Sequence, residues 1–191
     1  MPEPEVLRQR DWTDDELRAA GFAYLPPRPD WVVMARALPA AEAPLTIVTD
    51  WDTLVADAGT MICYDATGPA REHRYDFPHW PVRPDHFRDT YVPVDEAGRR
   101  PTPTEQRLLA LGCRPYRRAV GVWAMRLTED RLVQSPESPE PVVVPRGAWL
   151  LIGAQGATRG VPYSTDEASL RQRYVLPDSA VAGETPALPP G

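Results

Sequence analysis

Residues 69–80 concentrate histidines beside a carboxylate, side chains that could move a proton near neutral pH. They include two of the three histidines, His73 and His79, and the carboxylate Asp76. Histidine titrates near neutral pH, so His79 paired with Asp76, or with Asp85 just beyond the segment, is a candidate general acid and base. Such chemistry would need no metal or other cofactor.

The same segment is also the best candidate for a ligand site. Tyr75 and Trp80 supply flat rings for stacking, His73 a titratable group, and the nearby Arg83 a cation. These side chains could line a cleft for a small molecule or for a protein partner.

Two other interpretations of the segment remain. His73, His79 and His86 with Asp76 are possible metal ligands, but their spacings of six and seven residues match no common zinc motif. In the purely structural interpretation, a proline-bounded loop folds its aromatic rings over the edge of a sheet while its histidines stay in solvent.

The composition excludes several classes of function. All 21 basic residues are arginine, so Schiff-base enzymes, pyridoxal phosphate enzymes and P-loops, which each need a lysine, are ruled out. The net charge of −6 argues against nucleic acid as a partner. No apolar run is long enough for a membrane span, and two cysteines are too few for a disulfide framework, so a cytoplasmic location is expected.

An internal repeat organises the chain. Thr13 and Glu16 form one predicted capping box, and Thr102 and Glu105 form a second at a shift of 89 residues. Glycines predicted to end these two helices, strand-like runs at 31–38 and 120–127, and glycine turns at Gly59 and Gly147 continue the register. Two later helices carry aromatic or apolar pairs four residues apart, predicted to be core: Phe87 with Tyr91, and Leu170 with Tyr174.

The repeat predicts an α+β fold of two duplicated modules, residues 12–97 and 101–177, followed by a disordered tail at 178–191. Each module is expected to form a small curved antiparallel sheet or partial barrel with short helices. Gly68 matches Gly156 at a shift of 88, whereas Asp85 matches Asp166 at a shift of 81, so the first module holds seven extra residues between them. These lie within residues 69–80, which we call the insert.

The glycine turn, the second glycine and the segment from Trp80 to Tyr91 resemble the PGDYG-type modules of small phage and bacterial proteins. The resemblance covers residues 31–94 and, more faintly, 120–177. The chain has Ala58-Gly59-Thr60 and Arg146-Gly147-Ala148 where the family has Pro-Gly-Asp. The family has no established activity, so the resemblance implies a fold only.

Together these observations predict a small soluble binding or interaction protein, with a cleft between the modules lined by Tyr75, Trp80 and Arg83 near the insert. The alternative is a small metal-independent enzyme that uses His79 with an aspartate as acid and base, in specialised metabolism or phage conflict.

Overall fold

The structure is a computed structural model that describes residues 5–48, 53–95, 99–136 and 138–177. The helices are α1 (Asp14–Ala19), α2 (Pro84–Thr90), α3 (Pro103–Ala110) and α4 (Glu167–Arg173). The strands are β1 (Val6–Leu7), β2 (Ala23–Leu25), β3 (Val33–Ala37), β4 (Leu45–Val48), β5 (Thr53–Ala56), β6 (Met61–Asp65), β7 (His79–Val82), β8 (Tyr91–Pro93), β9 (Arg114–Arg118), β10 (Val122–Arg126), β11 (Arg131–Val133), β12 (Val142–Val144), β13 (Trp149–Gly153) and β14 (Pro162–Thr165). The predicted α+β class is confirmed. The predicted tail at 178–191 lies outside the described residues.

Local signals place the helices as the sequence predicts. In α3 the backbone N–H of Glu105 donates to Thr102 Oγ1 at 3.2 Å, and the N–H of Thr102 donates to Glu105 Oε2 at 2.7 Å. The capping box of α1 is formed in the same way. Gly21 and Gly112 follow these helices with φ of 89° and 86°, values that glycine adopts without steric cost. None of the helices in the described ranges is long and apolar enough to cross a membrane.

The chain forms two compact units. The described parts of residues 1–28 and 120–191 make up unit 1, and those of residues 29–119 make up unit 2. These units differ from the predicted modules in one respect. The segment with α1 and β2 belongs with β10, whereas the segment with α3 and β9 belongs with β3.

A local signal at β2 favours this exchange, although β9 makes the corresponding switch with no proline in the connection that follows it. Pro26, Pro27 and Pro29 hold the backbone extended and remove three N–H donors, so β2 does not turn back in a tight hairpin onto β3. Instead, β2 pairs antiparallel with β10, with Leu25 opposite Val122.

The main sheets of the two units have the same order of corresponding strands. Unit 2 has the order β7-β6-β3-β9-β8, and unit 1 has β14-β13-β10-β2. An isolated bridge between Pro27 and Tyr174 takes the place of β8 in unit 1. The turns at Gly59 and Gly147 also match, with φ of 86° and 87°. Common descent of the two units stays a prediction.

The sheet of unit 2 is covered on both faces. On one face α2 packs through Phe87, and on the other lie α3, through Leu108, and the β4–β5 hairpin, through Ile47. The prediction that these paired residues are core is confirmed, because all four are 7% exposed or less: Phe87, Tyr91, Leu170 and Tyr174. Tyr91 and Tyr174, however, lie one residue beyond the ends of α2 and α4 rather than within the helices. Successive residues of β6 and β7 point to opposite faces, which decides the surroundings of each candidate site residue.

Candidate functional site

The insert of unit 2 lies along α3 and is held from one end of that helix to the other. Thr104 Oγ1 donates to the carbonyl oxygen of Gly68 at 2.7 Å, near the start of the helix. Arg107 donates to the carbonyl oxygens of Arg71 and Glu72 at 3.2 and 2.5 Å. Near the end of the helix, Arg74 Nη1 donates to the carbonyl oxygen of Leu111 at 3.3 Å. The side chain of Phe77 is buried beneath the insert at 2% exposure.

This docking brings a charged network together around Glu42. Glu42 Oε1 accepts hydrogen bonds from Arg36 Nη2 at 3.2 Å and from Arg74 Nη2 at 2.9 Å. Its second oxygen, Oε2, accepts from the hydroxyl of Tyr75 at 2.5 Å. Arg36 lies on β3, Glu42 ends the short 3-10 helix that follows it, and Arg74 and Tyr75 belong to the insert. The three charged side chains are 17–27% exposed.

Two aromatic rings flank His79 beside this network. The imidazole ring centroid lies 5.5 Å from that of Tyr75 and 5.8 Å from that of Tyr64. His79 Nδ1 is 2.7 Å from the carbonyl oxygen of Phe77. A carbonyl oxygen only accepts, so we assign the proton of the neutral ring to Nδ1, which leaves Nε2 as an acceptor. We call Arg36, Glu42, Tyr64, Arg74, Tyr75 and His79 the Glu42 cluster.

Two donors of the Glu42 cluster are buried without a hydrogen-bond partner among the described residues: the hydroxyl of Tyr64 and Nε of Arg74. Tyr64 is 0% exposed. Burial raises the pKa of its phenol, and Cys113, Tyr75 and Glu42 add to that rise. Burial and the hydrogen bond to Glu42 raise the pKa of Tyr75 to about 12. Both phenols therefore keep their protons at neutral pH and remain donors.

Two strand positions of the Glu42 cluster are apolar in unit 1. In unit 2 Ala35 pairs with Cys63, and at the equivalent place in unit 1 Ala124 pairs with Leu151. The residue after Ala35 therefore corresponds to the residue after Ala124, and the residue after Cys63 to the residue after Leu151. Arg36 thus corresponds to Met125, and Tyr64 to Ile152, both buried in the core of unit 1. An apolar pair satisfies the fold of unit 1 at these two positions, so the strands themselves do not require Arg36 and Tyr64 there. Direct comparison of these positions in the two repeats would have revealed this difference from the sequence.

The acid and base pairs expected from the sequence are not formed in the described residues. Asp76 Oδ2 accepts from the backbone N–H of His73 at 3.3 Å and so closes the short helical turn of the insert. Asp85 accepts from the backbone N–H of His86 at 3.0 Å and from Arg83 at 3.3 Å. The side chain of His79 contacts a carbonyl oxygen instead of a carboxylate.

The predicted ligand-binding residues are divided between the two faces of the sheet. His79 lies opposite Tyr64 in the β6–β7 ladder, whereas the next residue, Trp80, lies opposite Cys63 and points to the other face. There Trp80 stacks on Trp31 with ring centroids 6.4 Å apart. Arg83 is exposed at the start of α2, and His73 is exposed in the insert. The predicted set that joins Tyr75 to Trp80 and Arg83 is therefore not assembled within unit 2.

A cavity of about 410 Å³ lies at the amino end of α3, where Trp31, Thr67 and Glu105 contribute to its lining. Its polar side chains are already engaged. Glu105 pairs with Arg99 and accepts from the N–H of Thr102, and Thr104 donates to the backbone. This cavity was not predicted, because no motif in the sequence marks it.

The comparisons with known proteins identify no relative. No family model, no curated protein and no solved structure matches the chain. The resemblance to PGDYG-type modules therefore stays a prediction. Among the described residues, no group of three or more histidine, cysteine and acidic side chains is placed to hold a metal ion.

Proposed function

We propose that the protein is a binding protein that holds a small ligand at the Glu42 cluster, beside the insert. One observation carries the proposal: this cluster contains two buried donors without partners among the described residues, Tyr64 O–H and Arg74 Nε–H, and the position of Tyr64 is occupied by the core residue Ile152 in the other unit. A buried polar group without a partner lowers stability by about 1–3 kcal/mol, so such groups commonly mark a water, an ion or a ligand.

The exposed edge of the cluster supports the proposal. Tyr75 is 36% exposed and His79 is partly exposed, so both rings are accessible from solvent. Arg74 lies 5.4 Å from the centre of the Tyr75 ring, and the hydrogen bond to Glu42 holds that ring in place. Two rings and a guanidinium that are already fixed would lose little conformational freedom on binding.

The enzyme hypothesis has weaker support. Nε2 of His79 is available as a proton acceptor, but neither Asp76 nor Asp85 contacts the imidazole. A catalytic role for His79 and Asp76 therefore stays a prediction, tested by assaying turnover of any ligand found.

Origin and location also remain proposals. A duplication is supported by the matching strand order of the two units. A reducing, cytoplasmic environment is consistent with Cys63 and Cys113, neither of which forms a disulfide.

The proposed function is tested by amide NMR spectroscopy of the full chain, using a library of small aromatic fragments. We expect fragment hits to shift the amide resonances of residues 74–79, and the Arg74→Met variant to lose those shifts. Arg83→Met is the matched control, because Arg83 is an exposed, ion-paired arginine of the same unit that lies outside the cluster. Hits that are absent from residues 74–79, or that Arg74→Met leaves unchanged, would contradict the proposal.

A further inference from the structure

The unmatched charge of the Glu42 cluster indicates which ligands it would accept. Arg36 and Arg74 both donate to the same carboxylate oxygen of Glu42. The third partner of this carboxylate, the hydroxyl of Tyr75, is neutral. Two guanidinium groups therefore share one carboxylate, which leaves one positive charge without a counterion inside the cluster.

The unmet hydrogen bonds point in the same direction. The two buried groups without partners, Tyr64 O–H and Arg74 Nε–H, are both donors. Both atoms lie beneath the exposed edge of the cluster, so they do not bind the ligand directly, but they make this edge a surface that favours acceptor oxygens. A cationic ligand would add donors and positive charge to a site that already has an excess of both.

Guanidinium geometry favours an oxyanion over a neutral acceptor. The planar fork of arginine matches the two oxygens of a carboxylate or phosphate, and charged hydrogen bonds are roughly twice as strong as neutral ones. Beside that fork, the rings of Tyr75 and His79 lie 5.5 Å apart at the solvent edge, where a flat group can pack against them.

We infer that the Glu42 cluster binds a small aromatic carboxylate or phosphate, with its oxyanion at Arg74 and its ring against Tyr75 and His79. This inference rests on the proposed function and specifies its ligand class.

Matched ligand pairs test the inference on the full chain. Benzoate and benzamide have nearly the same shape and differ in charge, and phenyl phosphate carries the alternative oxyanion. Titrations followed by amide NMR should show benzoate or phenyl phosphate shifting residues 74–79, with benzamide at least about tenfold weaker, a difference of about 1.4 kcal/mol. Inorganic phosphate distinguishes the sources of affinity, because it should bind more weakly than phenyl phosphate if the rings contribute.

Two variants of the cluster, with Arg83→Met as their control, test how charge affects binding. Glu42→Gln removes the negative charge that neutralises one arginine, so it should raise the ratio of benzoate to benzamide affinity severalfold, a ratio in which any loss of positioning of Tyr75 cancels. Arg74→Met should abolish binding, whereas Arg83→Met should leave it unchanged. Each variant is checked by its melting curve, so that loss of binding is not confused with unfolding.

The possible failures are distinguishable. If benzamide binds as tightly as benzoate, or if Glu42→Gln lowers the ratio of benzoate to benzamide affinity in a folded protein, the anion assignment is wrong while the ligand site stands. If neither the anions nor the amide, nor any library fragment, shifts residues 74–79, the proposed function fails together with this inference.

Discussion

Replacing Phe77 by alanine should destabilise the protein far more than any other single truncation in the insert. Phe77 is 2% exposed and belongs to the core cluster that includes Tyr64 and Leu108. This ring therefore makes the insert part of the core of unit 2.

The expected loss of unfolding free energy follows from the apolar area that Phe77 buries. Cutting phenylalanine to alanine removes roughly 150 Å² of buried apolar surface, which at about 25 cal/mol per Å² is about 4 kcal/mol. Measured losses for buried phenylalanine are about 3–5 kcal/mol, which includes the cavity left behind.

Urea unfolding and amide hydrogen exchange measure this loss. For amides that exchange only through unfolding of the core, such as those of Tyr64 and Leu108, 4 kcal/mol corresponds to nearly a thousandfold lower protection, since each 1.4 kcal/mol is about tenfold. His73→Ala is the matched control in the same insert, because His73 is exposed; it should change stability by less than about 0.5 kcal/mol. A loss below about 1 kcal/mol for Phe77→Ala would refute the reasoning.

Three further predictions concern the turns, the cap and the phenol. Gly59→Ala and Gly147→Ala should each cost about 1–2 kcal/mol in urea unfolding, because a Cβ meets no atom at either site while φ is 86° and 87°; a strictly neutral result would contradict this. Thr102→Ala should cost about 1 kcal/mol and fray α3, detected as faster exchange of the Glu105 amide, whereas Thr102→Ser should retain the cap. Tyr75 should titrate near pH 12 by absorbance at 295 nm, and Tyr75→Phe should remove that step. The folded pKa of Tyr75 is raised from 10.0 to about 12, so its contribution to stability is complete below pH 10 and is lost as the pH rises to about 12.

The elements of the fold could be predicted because their signals act over a few residues. The capping boxes of Thr13 and Thr102, and the glycines after both helices, depend only on contacts within one or two turns. The choice of partner for β2 could not be predicted in the same way. It depends on pairing with residues about a hundred positions away, and the sequence pattern of β2 is compatible with β3 or β10 as its neighbour.

The location of the candidate site was predicted only in part. The insert was singled out by its length and composition, and it supplies Arg74, Tyr75 and His79. Arg36 and Glu42 were not expected, because they lie more than thirty residues from Arg74 in the sequence and reach it only through the sheet and the docking of the insert. Strand alternation, which places His79 and Trp80 on opposite faces, separated residues that are adjacent in sequence.

The central claim is that the charged part of the Glu42 cluster serves a ligand rather than the fold. Its most direct test is the variant that combines Arg36→Met, Glu42→Leu and Arg74→Met, measured for both unfolding free energy and benzoate binding. Replacing a whole buried ion network by apolar groups is often neutral or stabilising, so the free energy of unfolding should fall by less than about 1 kcal/mol while benzoate binding is lost. A variant that loses several kcal/mol, together with a parent chain that shows no benzoate binding at residues 74–79, would contradict the claim and identify the network as a structural brace for the insert.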